Sequence, residues 1–430
     1  MARTADGLVE ARCERPGGST PWLAAASASA TRLALAVADV NWFSTEHLFR
    51  SVADPTVRTL LLHCQDYRNA WEHRHEGSLR QANRTVALSD RAWLRRSVLP
   101  PGWMKRFPRW GMRPLARSIR RWRHDHAAGA PLGLVITYPY YLALSARLRP
   151  DRLVYYNIDD YTLYWPECAD AVRRLEREAV LTADLTVCVS LARCRELREA
   201  VPEAASRIRH LPHGTPDVAI APEPLDRPAP PPPDLAGLPR PILGYFGSLE
   251  DRVDWELLDL LAVQMPGASL VLVGRVPEPS RRTPACQRCL SRPNVRAVGW
   301  RTQAQMLAYT GAFDVCLIPY RPDHPFNRAC CPTKILDYLG TGRPIVSTAL
   351  PECLLHTDRL VVACRDAEFV AAAAALAESG GDGPQAAARR HAYALDHRCE
   401  HVAATLLEWL DLPPNPATGT PPLASGRPSW

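Results

Sequence analysis

The sequence predicts an α/β protein with two buried cores, and three observations lead there. The clearest is the stretch Phe313 to Pro351. An apolar run (Val315 to Pro319) is followed by a polar loop ending in Cys331-Pro332-Thr333-Lys334, then by helical spacing from Ile335 to Leu339 closed by Gly340 and Gly342, then by a second apolar run, Pro344 to Thr348. Strand, helix and strand in that succession form a parallel crossover unit. Length comes second: 430 residues, 47% of them hydrophobic, can bury two cores. Third, residues 222–241 hold nine of the 41 prolines, form neither helix nor central strand, and so divide the chain.

Taken in order, residues 1–30 lack periodicity and predict a tail without fixed structure, as do residues 413–430. Trp22 to Val40 has the small residues of a secretion signal, but its apolar part, Leu33 to Val40, is too short and leads straight into Asn41-Trp42. It predicts the first strand of a first domain, 31–221, with its carboxyl end toward a cleft. Asn41, Glu46, His47, Tyr138 and His213 end strands or open the next loops, which makes them cleft candidates by topology. Lys105 to Arg123 carries eight cations and no acid, with Leu115, Ile119 and Trp122 on one helical stripe. That pattern predicts an amphipathic helix on an anionic membrane surface, anchored by Phe107 and Trp110, with a plain solvated helix as the alternative. No nucleic-acid module surrounds it, so nucleic acid is not expected as a partner. After the linker come a second domain, 242–385, with a helix over Trp255 to Ala262, and a C-terminal helix over 386–412.

Cys331 to Lys334 places a helix N-terminus, a threonine and a lysine at the carboxyl end of a parallel strand, where an anion, phosphate above all, is favoured. With the (P)-x-K-x-x-(E/D)-Y-x-x-x-G-x-P-(I/V)-V-(S/A)-T pattern around Lys334, these residues resemble the nucleotide-sugar glycosyltransferases of the GT-B type, family 4-like. The resemblance is to bacterial members that build cell-surface polysaccharides. PILGYFGSLEDRVDWELLDLLAVQMPGASLVLVGRV (241–276), NVRAVGWR (294–301), LVYYNIDDY (153–161), ADLTVCVS (183–190) and IRHLPHGT (208–215) also stand in that family's order. The resemblance implies two Rossmann-like domains facing a cleft, a nucleotide-sugar donor, and a saccharide or lipid-linked glycan as acceptor. It also implies transfer with retention of anomeric configuration and no cofactor, the nucleotide-sugar being a substrate.

Transfer leaves negative charge on the departing phosphates, so cations are required there. Lys334 is the first candidate and Arg252 the second, standing where the family has a lysine, whereas Ser248 after Gly247 replaces an arginine. Gly247, Ser248, Cys331, Pro332 and Thr333 are expected beside the donor, Asp337 at its ribose hydroxyls, Trp300 and Arg301 at its base. The partner acid of the family's E-x7-E pattern is missing at Ala329. Asp159 and Asp160 end a strand; being adjacent they point to opposite faces, which argues against a metal site. One of them, Asp160 by preference, is expected to orient the acceptor hydroxyl, with a capping or salt-bridged role as the alternative. Other readings of the chain are a nucleotide-sugar 2-epimerase and a non-catalytic sugar-nucleotide-binding subunit.

The thirteen cysteines are scattered, unlike a small secreted disulfide framework, and a reducing cytoplasm fits them. Cys286 and Cys289 form one CxxC near Cys330-Cys331, to be weighed as a metal set against free thiols. The net charge of +7 suits a cytoplasmic protein peripheral to the inner face of the plasma membrane.

Overall fold

The structure is a computed structural model, and it describes residues 31–72, 82–100, 108–223, 225 and 230–410. The two tails expected at 1–30 and 413–430 lie outside them, as do part of the proline-rich segment and residues 105–107.

Continuous apolar runs such as LALAVA and SLVLV are what a strand covered on both faces requires, and they form the centres of two sheets. The first sheet comprises β1 (Leu33–Ala38), β2 (Val57–Asp66), β3 (Thr85–Ala87), β4 (Ala92–Leu99), β5 (Leu132–Ile136), β6 (Arg152–Asn157), β7 (Leu185–Cys188) and β8 (Ile208–His210). Its order is β3-β4-β2-β1-β5-β6-β7-β8, parallel except for the β3/β4 hairpin. The second comprises β9 (Ile242–Phe246), β10 (Ser269–Val273), β11 (Val295–Gly299), β12 (Val315–Ile318), β13 (Ile345–Thr348) and β14 (Val361–Ala363), in the order β11-β10-β9-β12-β13-β14, all parallel. In each sheet the order reverses beside the first strand, between β1 and β5 and between β9 and β12. Loops at such a reversal diverge to opposite faces and leave a crevice at the carboxyl ends.

The helix expected over 105–123 runs Pro108–His126, and its stripe faces inward. Met112, Leu115, Ala116, Ile119 and Trp122 are buried in the first domain's core. The apolar face therefore covers the sheet instead of a membrane, a correction to the sequence expectation, and Arg113, Arg117, Arg120 and Arg121 are exposed on the outer face. Among the described residues no helix is long and apolar enough to cross a membrane.

Two further expectations are altered. The C-terminal helix is two helices, Pro384–Asp396 and Cys399–Leu410. Between them the chain crosses to the first domain, where Thr215 donates to the His397 carbonyl at 2.7 Å and accepts from the Cys399 amide at 3.0 Å. Val402, Ala403, Leu406 and Leu407 then pack with Leu33, Leu35, Val37, Leu48 and Phe49. Secondly, the described part of the proline-rich segment is docked: Leu235 is buried in the second domain's core, and Asp234 accepts from Arg301 and Tyr309.

Candidate active site

The crevice of the second domain is built by turns after three strands. After β9, Gly247 has φ +153°, and a Cβ there would lie 2.3 Å from Lys334 Cε and 2.5 Å from Nζ. Gly274, after β10 at φ +154°, approaches so closely that its Cβ would meet the Gly247 carbonyl oxygen at 1.8 Å. Only glycine fits either position, because backbone and lysine fill the space a side chain would need.

Lys334 enters from the helix Thr333–Leu339, for which Pro332 is the buried extended entry residue. Its ammonium stands 5.3 Å from the centroid of the Tyr245 ring and 5.4 Å from that of Tyr320. Arg252, on the turn after β9, lies 5.5 Å from the same Tyr320 ring and 6.0 Å from Phe326. Burial alone would lower the Arg252 pKa, but its neighbours, Tyr320 first, hold it above the ordinary value. Among the described residues neither cation has an ion pair or a side-chain hydrogen bond. Two positive charges thus share one aromatic ring with no carboxylate in direct contact among the described residues, Asp159 and Asp337 acting on them only from farther off, an arrangement that favours an anion.

Fifty of the 52 lysine and arginine residues are arginine, so a lysine at 334 is itself a signal in the sequence. A compact ammonium suits a point-charge contact in tight space better than a planar guanidinium. One turn along, Asp337 is buried with no hydrogen bond or ion pair among the described residues. Burial raises its pKa to about 7, against the lowering effect of Lys334.

Arg301 donates to Asp234 (2.6 Å) and Tyr309 (2.6 Å), so its side chain ties the linker down and leaves main-chain contact as its route to a base. Trp300 is 62% exposed after β11, which excludes its alternative reading as core filling. The Ser248 hydroxyl donates to Glu250 at 2.6 Å on an exposed turn. Cys331 is buried among first-domain aliphatic side chains, so its role is packing between the domains. Thr333 is half-buried at the first helical position. Cys286 and Cys289 are buried in the second domain's core, and among the described residues no three His, Cys, Asp or Glu side chains are grouped to hold a metal.

The opposite wall comes from the first domain. Asp159 accepts from Tyr164 Oη at 2.8 Å, and its pKa is raised by burial against the influence of Tyr164 and Arg252. Asp160 points elsewhere. It caps the turn at Thr162 (3.0 Å to the amide, 2.6 Å to the hydroxyl) and lies 4.0 Å from Arg193. Arg193 is itself paired with Glu176 at 2.9 Å. Of the two acids, Asp159 is therefore the one that Arg252 influences, while Asp160 takes the capping and salt-bridged place that was its alternative reading.

Asn41 is held by the Cys64 carbonyl at 2.7 Å and fixes the end of β1 to β2. Glu46 is partly buried with a raised pKa, first from desolvation; His47, tilted 4.0 Å from Phe43, has a lowered one for the same first reason. His213 is buried and lowered to about 4, a neutral imidazole near pH 7. Tyr138 accepts from the Trp42 indole at 2.9 Å and packs on Tyr161 at 4.6 Å. With Tyr164, Trp165 and, from the second domain, Phe326, these rings line the crevice.

One residue on this wall escaped the sequence reading. Asp39 follows β1 directly, at φ +77°, a backbone state uncommon for aspartate. It is buried, accepts from Tyr141 Oη at 2.9 Å and from the Asn41 amide at 3.2 Å, and its pKa rises to about 7, mainly through burial. An acid directly after a wholly apolar strand was the available signal.

Two open-faced parallel sheets with facing crevices define the GT-B fold, and solved structures of that architecture superimpose on most of the chain. HepE of Anabaena, in complex with UDP and glucose, matches with a TM-score of 0.61 and 14% identity over 89% of this chain and 100% of its own. Sucrose-phosphate synthase from Thermosynechococcus elongatus matches with 0.64 and 15%, over 88% and 98%. Residues 240–379, within which nearly all of the second domain lies, match the family described as glycosyl transferases group 1. Over 110 residues the chain is 29% identical to the putative teichuronic acid biosynthesis glycosyltransferase TuaH of Bacillus subtilis (strain 168), a distant homologue. That match spans 26% of this chain and 27% of TuaH.

Proposed function

We propose that the chain is a glycosyltransferase that moves a sugar from a nucleoside-diphosphate donor to a hydroxyl of a saccharide or lipid-linked glycan. In this reading residues 31–221 hold the acceptor and residues 242–385 the donor. The observation that carries it is the pair Lys334 and Arg252, two cations on the Tyr320 ring, neither in an ion pair among the described residues and so lacking a negative charge in direct contact. A diphosphate supplies that charge. The bond from the anomeric carbon to the β-phosphate oxygen breaks, a bond from that carbon to the acceptor oxygen forms, and the acceptor's proton passes to the released diphosphate. Lys334 and Arg252 stabilise the developing charge where a metal would otherwise be needed, so we take the reaction to be metal-independent. Asp337, a buried acceptor without a partner, is assigned to the ribose hydroxyls, and Asp159 to the acceptor hydroxyl. The rings of Trp42, Tyr138 and Tyr164 suit a sugar face, since an aromatic body packs on C–H groups while its polar tip keeps a hydrogen bond. Retention of configuration follows the family resemblance.

The complexes of HepE with UDP and with UDP-glucose make UDP-sugars the first donors to try. The test is UDP release from a panel of UDP-sugars, with and without oligosaccharide acceptors, followed by analysis of the product linkage. Acceptor-dependent release supports transfer. Interconversion of the nucleotide-sugar without acceptor would replace it with epimerisation, and binding without turnover would leave only a sugar-nucleotide-binding subunit.

A further inference from the structure

At the edge of the first sheet, the β3/β4 hairpin and the helix Pro108–His126 enclose an open cavity of about 510 Å³. Its lining includes Arg95, Arg117, Arg121, Trp122 and Asp125. We propose that this cavity binds a phosphoryl group carried on a small polyol, a site separate from the donor site and independent of the reading given above.

The charge balance is one-sided. Against three guanidinium groups stands one carboxylate, Asp125, which lies 3.7 Å from Arg121. Arg117 has no ion pair among the described residues. Arg95 reaches Thr85 Oγ1 at 3.3 Å, yet its Nε is buried without a partner, and its pKa is lowered by burial and by the facing Arg121. The Trp122 side chain is 2% exposed and its indole N–H also lacks an acceptor. Unpartnered buried donors also occur at Arg96, Arg193, Arg207, Trp255 and Arg398, but here two of them belong to residues that line one cavity beside two further guanidinium groups. Guanidinium forks match the spread oxygens of a phosphoryl dianion. The volume exceeds what phosphate alone fills, which leaves room for a glycerol or hexose body. Such a group can arrive on a soluble sugar phosphate or as a lipid headgroup, and the test separates the two.

Full-length protein would be titrated with glycerol 3-phosphate by calorimetry at low salt. It would also be floated with phosphatidylglycerol and phosphatidylcholine vesicles, with and without glycerol 3-phosphate. Saturable binding of glycerol 3-phosphate is expected, weakened by about tenfold or more in Arg117→Gln/Arg121→Gln and in Arg95→Lys, which keeps the charge but loses the fork. UDP binding should not change. Release of protein from phosphatidylglycerol vesicles by glycerol 3-phosphate would identify the headgroup source; saturable binding without vesicle association would identify a soluble one. The site is overturned if glycerol 3-phosphate does not bind. It is equally overturned if Arg95→Lys binds as the wild type does, since diffuse charge would then account for everything. The exposed positions of Arg117 and Arg121 let that variant fold.

Discussion

The two walls of the crevice are assembled in opposite ways. On the second domain, Cys331 to Asp337 supplies the helix entry, Lys334 and the buried acid within seven consecutive residues, while Gly247, Gly274, Arg252 and the Tyr245 and Tyr320 rings frame them. On the first domain, Asp39, Tyr138, Asp159 and Tyr164 arrive from three separate strand ends, spread over more than a hundred residues. Local sequence therefore determines the geometry of the second domain's wall, the donor wall of our proposal, whereas the first domain's wall, its acceptor wall, depends on the sheet that aligns its strands. Donor-wall substitutions should act on one step with little effect on the fold. Acceptor-wall substitutions should mix function with stability.

The largest effect expected is for Lys334→Ala, which should slow turnover by about a hundredfold or more while thermal stability is kept, since one charge-stabilising group is lost. Steady-state UDP release with a melting curve on the same sample checks it, and near-normal turnover would break the contrast. Asp337→Asn keeps the shape but loses the charged acceptor, and UDP should bind more weakly by about 1.5 to 3 kcal/mol. An unchanged Kd in calorimetry would remove Asp337 from ribose recognition.

The acceptor wall is probed through pH. Asp39 holds its proton up to about 7 in the folded protein against 3.8 as the ordinary value. Between those pH values the unfolded chain binds fewer protons at this site, so its contribution to stability falls as pH rises. Asp39→Asn removes that slope. Its Tm relative to wild type should climb from pH 4.5 to 7.5, and a constant difference would show that Asp39 does not titrate there. The smallest effect is for Tyr164→Phe, which takes one hydrogen bond from Asp159. About 0.5 to 1.5 kcal/mol of stability should be lost, with acceptor KM affected before donor Kd.

This contrast also explains what was legible in the sequence. The strand–helix–strand unit around Lys334 could be read because periodicity and its stop signals are local properties, and β12, the helix and β13 fall on those runs. The helix Pro108–His126 was visible too, but amphipathicity reveals only that a face is covered, not what covers it. Core and membrane give the same stripe. The tie of Arg301 was not legible because its partner Asp234 lies 67 positions earlier in a segment with no periodicity. The packing of Cys331 was not legible because its neighbours belong to the other domain. Asp159 and Asp160 were known to diverge, but which of them faced the crevice depended on Arg193, buried beneath the other.

The return of the helix Cys399–Leu410 to the first domain bears on how the protein is made and how it can be recombined. While the chain emerges from the ribosome, the surface formed by Leu48 and Phe49 has no cover until residues some 350 positions later have been synthesised. The first domain thus waits, partly open, for the second to finish, a period in which exposed apolar surface favours aggregation. For the same reason the exchangeable cassette is not everything after the proline-rich segment. A chimera that replaces 242–398 and keeps 399–410 leaves the first domain its own cover, whereas one that replaces both asks a foreign helix to fit it.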